Sequence, residues 1–410
     1  MRSLSAPQAA DILGVSISTL YAYVSRGLLR SLPDGASKRR RYDADEVHLL
    51  ARRRADAKRA GGVAERSLDW GVPVLESRIT QIADGRLYYR GIDAPPLAHD
   101  ATLEEAAARL WDCAPARLAA ASLASTGFDA AQGGGWARRW GHPAPLGRTL
   151  VLLPAAAASR PGRWAPGCDA QLDTAALLLR VTAGARAGVA PRDAPVHRQL
   201  AAAWGIRRRA DADLLRRALG LCADHGLNPS TFAVRCIAST GTHLFGAIAG
   251  GPAARSGPRH GGETWRAGAL RDEAAHAADL DRYLAQRLAR DERSEGARTA
   301  LAGFAHPLYP DGDPRARALL DALCTTQPER PPLRAAGALA ARVEAATGLR
   351  PTIDFALAVL ERTLALPAGA AFTLFAAGRT AGWIAHAIEQ YADGKLIRPR
   401  ARYVGSDAPG

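Results

Sequence analysis

Four stretches of this chain hold residues able to do chemistry, and they lie far apart in sequence. In Gly303-Phe304-Ala305-His306-Pro307-Leu308-Tyr309-Pro310-Asp311-Gly312-Asp313-Pro314-Arg315-Ala316, a histidine sits in a proline-stiffened loop, nine residues before an arginine that opens an Ala/Leu-rich helical run. Imidazole can hydrogen-bond or move a proton near neutral pH, and a guanidinium at a helix start can clamp a carboxylate through two bonds. Pro314 suits the first helical position, with Asp313 as the N-cap. Asp224-His225-Gly226-Leu227-Asn228-Pro229-Ser230-Thr231 precedes a helix with Phe232, Arg235 and Ile237. Gly257-Pro258-Arg259-His260-Gly261-Gly262 surrounds a histidine with glycines, which let a ligand approach the backbone closely. Pro351-Thr352-Ile353-Asp354-Phe355 sets one acid among apolar residues at the head of a helix. Each alone could be a satisfied structural group. Four within 130 residues fit a site assembled from separate loops.

The elements that position these loops are helices. Beyond Gly91 the chain is a series of Ala/Leu/Arg stretches punctuated by Pro and Gly. Before it, Val72 to Glu76, Arg78 to Ile82 and Arg86 to Arg90 are short and β-prone, with Asp84-Gly85 as a hairpin turn. The sequence has no Rossmann glycine fingerprint, P-loop or HExxH spacing. Its five cysteines show no CxxC pair, so neither a disulfide framework nor a metal site follows. A length of 410 residues suggests two or three domains, and 48% apolar residues supply their cores. No apolar run approaches membrane-spanning length and no signal-peptide core opens the chain, so a cytoplasmic protein is expected.

The net charge of +14 is uneven: residues 1–60 hold 12 Lys/Arg against 6 Asp/Glu. This segment also has its own pattern. Ser5 and Gln8 have capping-box spacing before a first helix, Gly14-Val15-Ser16 makes a turn, and Ser16 caps a second helix ending at Gly27. A turn at Pro33-Asp34-Gly35 leads to Lys38-Arg39-Arg40-Arg41, a basic wing. Asp43 and Glu46 then cap a third helix, running to about Arg59. Gly61-Gly62 lies in a linker. The segment resembles the winged helix-turn-helix domain of the mercury-resistance-regulator (MerR) family. That resemblance implies contact with duplex DNA by Ser18, Tyr21 and Arg26, with Lys38, Arg39, Arg40 and Arg41 on phosphates.

For the body, DHGLNPSTF, ASTGTHLFGAIAGG, GPRHGG, GFAHPLYPDGDPRA, TIDFALAVL, LFAAGRTAGWIAHAIEQ and RPRARYVG follow the order and spacing of citrate synthase. GVPVLESRIT…DGRLYYRGIDAPPLA resembles the start of that family's bacterial forms. The resemblance implies an all-α, two-domain helical fold with a small β-hairpin region. The implied layout is a helix-turn-helix domain at 1–59, a linker at 60–70, a large domain at 71–261 and 366–410, and a small domain at 262–365 that closes over the ligands of a homodimer. It further implies an acyltransferase condensing acetyl-CoA with oxaloacetate, with acetyl-CoA as substrate, no cofactor, no metal and no membrane. In that pattern Asp354 is the base, His260 donates to the thioester oxygen, and His306 polarises the ketone of oxaloacetate. His225, Arg315 and Arg379 bind its carboxylates, with Arg398 donated by the neighbouring subunit. Burial among Ile353 and Phe355 should raise the proton affinity of Asp354.

The chain departs from the pattern at Gly226 (usually Glu), at Glu263-Thr264 after the glycines of His260, at Pro307 and Pro310 beside His306, and at Gly378 (usually Ser). Two other functions compete with citrate formation: condensation of propionyl-CoA, and transcriptional regulation with the body as a dimeric metabolite sensor.

Overall fold

The computed structural model describes residues 3–25, 29, 31–33, 40–44, 46–48, 75–123, 145–158, 168–257, 260–291, 301–399, 403 and 405. These fall into two units, Met1–Glu76 and Ser77–Gly410.

In the first unit the helix signals act as their chemistry dictates. Strand β1 (Ser3–Ser5) leads into α1 (Ala6–Leu13), whose start is tied by Ser5 N donating to Gln8 Oε1 at 3.0 Å. Gly14 ends α1 with φ 59°, a left-handed cap that glycine adopts without steric cost. Ser16 Oγ accepts from Thr19 N at 3.2 Å at the start of α2 (Ile17–Ser25). Strands β2 (Ser31–Pro33) and β3 (Arg40–Asp43) form the hairpin of the wing, with Leu32 opposite Arg41, and β3 also pairs antiparallel with β1. Ala9, Ala10, Leu13, Leu20, Leu29, Tyr42 and Val47 form this unit's core. Arg26, Lys38, Arg39, the expected third helix beyond residue 48 and the linker lie outside the described residues.

The second unit begins with β4 (Thr80–Ala83), β5 (Arg86–Tyr89) and β6 (Ile92–Asp93), an antiparallel sheet. Asp84 and Gly85 both have positive φ, 52° and 69°, the geometry that matches a two-residue turn to strand twist. Helices follow. α3 (Ala94–Asp100), α4 (Leu103–Trp111) and α5 (Pro115–Ala120) come first, then α6 (Pro145–Ala158) and α7 (Cys168–Ala187). Next are α8 (Val196–Ala203), α9 (Arg209–Leu221), α10 (Pro229–Ala238) and α11 (Leu244–Arg255). The last six are α12 (Glu263–His276), α13 (Leu280–Asp291), α14 (Pro314–Thr326), α15 (Pro331–Thr347), α16 (Ile353–Thr363) and α17 (Ala370–Asp393).

Two helices organise the unit. α4, α7, α9, α10 and α11 gather around α17, while α12, α14 and α15 gather around α16. α17 is fully buried from Ala370 to Ala387 and rich in Ala and Gly, so its neighbours approach its backbone. At Gly378 a Cβ would lie 2.5 Å from the Leu219 carbonyl oxygen, so a serine does not fit this packing. That is the physical reason for one of the departures noted in the sequence.

Candidate active site

The four chemical stretches meet where the loops before α10, α12, α14 and α16 converge, and backbone bonds join three of them. Gly303 N donates to Glu263 Oε1 at 2.8 Å, and Thr352 N donates to Gly303 O at 2.8 Å. Gly303 has φ 85°, and a Cβ there would lie 2.8 Å from Ala267 Cβ and 3.0 Å from Phe355 Cβ. Only glycine lets this loop pass between α12 and α16. Ala305 also adopts positive φ, 62°, immediately before His306, and its N–H is held by Arg350 O at 3.0 Å. A non-glycine residue in that region stores strain of about 1–2 kcal/mol.

His225, His306 and Tyr309 form one cluster. Tyr309 OH lies 2.9 Å from His225 Nε2, and the His225 and His306 rings meet edge to face with centroids 5.0 Å apart. Burial, then the charges of Arg315 and Arg379, then His306, hold the His225 pKa well below the usual imidazole value, so this ring is neutral. Burial pushes the Tyr309 hydroxyl up to about 12 and keeps its proton in place. Leu308 N donates to His306 Nδ1 at 3.2 Å. Neutral His306 therefore carries its proton on Nε2, the tautomer suited to polarising a carbonyl.

Arg315 is fixed by its own N-cap. Asp313 accepts from Arg315 Nε at 2.9 Å, Arg315 Nη2 at 2.8 Å and the Arg315 backbone N–H at 3.0 Å. Asp313 Oδ2 also accepts from Ile353 N at 3.0 Å, so one carboxylate ties the Arg315 helix to the Asp354 helix. Burial works against both charges, but each holds the other ionised: Asp313 stays below the usual carboxylate range and Arg315 above the usual guanidinium value. On α17, Arg379 Nε donates to Cys222 O at 3.0 Å, on the backbone that leads into His225. That loop is held in turn by Asp224, which accepts from Thr80 Oγ1 at 2.5 Å and Gly226 N at 2.9 Å and faces His386 Nε2 at 3.3 Å. Burial opposes the Asp224 charge, but His386, Arg379 and Thr80 together outweigh it and the pKa falls to about 2. Gly226 has φ 64°, which favours glycine over the glutamate of the family pattern.

Asp354 stands in the first turn of α16 and accepts a short hydrogen bond from Thr264 Oγ1 on α12. Burial raises its pKa, Thr264 and then Arg255 pull it back, Glu263 adds to the rise, and the net shift is upward. His260 is in the tight turn between α11 and α12, with its N–H bonded to Gly257 O at 3.1 Å and with Gly261 pressed against the Arg255 carbonyl.

The structure thus joins His225, His306, Arg315 and Asp354 through bonded neighbours, with Arg379 bonded to the backbone before His225 and His260 just ahead of the helix that grips Asp354. Arg398 is elsewhere. It is exposed, beyond α17, where Ile397 N is tied to Ser239 Oγ at 3.1 Å just past the far end of α10 from His225. Of the residues expected on DNA, Tyr21 is 52% exposed on α2, which also carries Ser18, and Arg40 is exposed beside Arg41 on β3. Sequence reasoning missed Tyr309, Thr264 and Asp224 as parts of the site. Tyr309 and Asp224 lay inside the quoted motifs. Thr264 showed only as a departure, because nothing local connects it to a residue 90 positions away.

Comparison with known proteins bears on the family and the fold. Residues 149–400 match the family model for the citrate synthase C-terminal domain, and residues 8–42 match that for MerR family regulatory proteins. A citrate synthase of Haloferax volcanii is 35% identical over 198 residues, 47% of this chain and 50% of that protein. A citrate/2-methylcitrate synthase of Bacillus subtilis is 33% identical over 199 residues, 48% of this chain and 52% of that protein. The chain therefore spans about half the length of the curated relatives it matches. The crystal structure of citrate synthase from Thermotoga maritima superposes with a TM-score of 0.67 at 27% identity, covering 83% of this chain and 96% of that one. Among the described residues no helix is long and apolar enough to cross a membrane, and no His/Cys/Asp/Glu group could hold a metal ion.

Proposed function

The chain belongs to the citrate synthase family, and from that premise we propose that it condenses acetyl-CoA with oxaloacetate to give citrate and CoA. The acetyl methyl is a very weak carbon acid, so it needs a base and stabilisation of the enolate oxygen together. Asp354 takes the methyl proton while His260 donates to the thioester oxygen. The carbon nucleophile adds to the ketone of oxaloacetate, whose oxygen takes a hydrogen bond from His306 Nε2. Water then hydrolyses the resulting thioester, releasing CoA with the thiol proton and leaving the new carboxylate. Arg315 and Arg379 hold the carboxylates of oxaloacetate and neutral His225 donates to the same substrate. Arg398 serves the site of the partner in a cytoplasmic homodimer, and the segment 262–365 closes over both substrates. No cofactor is required.

The observation that carries this reading is the raised Asp354 carboxyl bonded to Thr264, stitched through Asp313 and Gly303 to Arg315 and the His306 loop. The test is thiol release by purified protein given oxaloacetate with acetyl-CoA or propionyl-CoA. Release that requires both substrates and is fastest with acetyl-CoA supports it. Faster release with propionyl-CoA makes this a 2-methylcitrate synthase, and none with either removes the enzyme reading.

A second reading rests on the match of residues 8–42 to MerR regulators and on the exposed Tyr21 of α2 beside a basic hairpin. In it the dimer presents two modules to a pseudo-palindromic duplex. Replacing Lys38, Arg39, Arg40 and Arg41 with Ala would weaken binding to all sequences and flatten its salt dependence by about 0.9 per lost phosphate contact. No duplex binding at low salt would leave the module an assembly element.

A further inference from the structure

Three buried arginines line the first half of α17, and four of their nitrogens have no partner among the described residues: Nε and Nη2 of Arg186, Nε of Arg255 and Nη2 of Arg379. These residues are 1%, 4% and 2% exposed. Arg186, near the end of α7, donates from Nη1 to Thr380 Oγ1 at 3.3 Å, beside Arg379. Arg255 ends α11 with its guanidinium carbon 3.8 Å from the centre of the Phe375 ring, and the Arg379 guanidinium lies 5.0 Å from the same centre. A ring face offsets part of the cost of burying a cation but accepts no N–H in the plane of a guanidinium.

The three differ in what neutralises them. Asp224 acts on Arg379 and Asp354 acts on Arg255. On Arg186 burial comes first, the next influence is the like charge of Arg255, and no acid acts, so its pKa drops to about 9. A buried guanidinium with free donors and no acid is a large uncompensated cost unless an anion arrives.

We propose that Arg186 and Arg255 bind a carboxylate carried by one of the substrates, so that this chain condenses a pair bearing one carboxylate more than acetyl-CoA and oxaloacetate bring. The inference rests on the condensation reading. Arg255 acts on both Asp354 and Arg379, so the anion is within reach of an acyl chain beside the base and of a 2-oxo acid lying across Arg379. Two guanidinia facing one carboxylate supply the paired donors that such a group takes best.

The first arm is calorimetry on the full chain with inorganic phosphate as probe, oxaloacetate being saturating so that Arg379 is already engaged. One saturable site is expected, weakened about tenfold or more in Arg186→Met and partly restored in Arg186→Lys. Ligand-free Arg186→Met should melt higher than the parent, because it removes an unneutralised buried charge. The second arm is thiol release from succinyl-CoA with oxaloacetate, and from acetyl-CoA with the tricarboxylic 2-oxo acid oxalosuccinate. One of these pairs should exceed acetyl-CoA with oxaloacetate about tenfold in kcat/KM, and Arg186→Met should abolish that preference while leaving the reference pair unchanged. The first pair winning places the carboxylate on the acyl chain, the second on the oxo acid. Turnover of the reference pair with no phosphate site, or with no preference sensitive to Arg186, overturns the inference alone. Absence of thiol release with every pair sinks the condensation reading and this inference with it.

Discussion

Arg315 and Arg186 are the same residue type at 2% and 1% exposure, yet they sit in opposite electrical surroundings. Around α14 and α16 the charges come with protein partners: Arg315 with Asp313, Asp354 with Thr264, and Glu263 with Gly303 N. Around α7, α11 and α17 the guanidinia rest on rings and carbonyls, and only distant acids temper two of them. A buried charge that brings its own partner shapes a loop whether or not substrate is present. One that lacks a partner keeps its hydrogen-bonding capacity for something the chain does not contain. The first side should therefore be sensitive to mutation in fold and rate, and the second chiefly in what it binds.

The largest effect should come from the base. Asp354→Asn keeps the Thr264 contact and the fold while removing proton abstraction, a loss of about 10²–10⁴-fold in kcat. Oxaloacetate affinity, measured by calorimetry, should be unchanged. A variant retaining more than about a tenth of the parent rate would show that Asp354 is not the base.

Next is the paired side's stability. Asp313→Asn leaves Arg315 buried without its acid, and breaking such a pair costs about 3–5 kcal/mol. Urea unfolding of the ligand-free protein should register that loss, whereas Arg186→Met should stabilise. A loss of similar size in both variants would remove the distinction drawn between the two sides.

A smaller effect is expected at Thr264. Its hydroxyl donates to the ionised form of Asp354, so it favours the carboxylate. Thr264→Val should raise the Asp354 pKa further and move the acidic limb of the kcat/KM profile to higher pH. Activity on the alkaline side of both acidic limbs, where the base is ionised in both proteins, should change little. Thr264→Ser should restore the parent profile. A parallel fall at all pH values would make Thr264 a packing residue only.

How much of this was legible beforehand depends on the range of the forces involved. Asp313 and Ser16 act on backbone within three residues, so their caps followed from spacing alone. The Asp84-Gly85 hairpin was equally local. The loops of His225, His306 and Asp354 were found as chemical types, but their convergence came through the resemblance to a family. The contacts that unite them span up to 90 residues, as between Thr264 and Asp354, and leave no periodic trace. Arg186 and Arg255 were invisible for another reason. In a chain with 54 Lys/Arg, nothing marks which arginines fold inward.

The smallest effect tests whether the buried cations of the oxaloacetate side are felt beyond their own side chains. His225 is held neutral by burial and by Arg315, Arg379 and His306, so its folded pKa lies well below the unfolded value near 6.5. Above that value both states are neutral and the residue contributes no pH dependence. Below it the unfolded chain binds a proton that the native ring refuses, so the unfolded state gains protons and stability falls as pH falls. The slope cannot exceed about 1.4 kcal/mol per pH unit for one group. Asp224, with its pKa near 2, acts with the same sign only below the carboxylate range. Asp354, raised in the fold, acts with the opposite sign between its own pKa and the unfolded one, so the total slope mixes groups. The difference between the parent and His225→Gln isolates the ring, since glutamine can still bond Tyr309. Urea midpoints from about pH 7 to pH 5 should converge as pH falls if the parent alone carries the penalty. Saturating oxaloacetate places two carboxylates among Arg315 and Arg379, so it should raise the His225 pKa and shrink the difference. A difference that ignores the ligand would mean that desolvation alone sets this histidine and that the guanidinia around it are not felt by the ring.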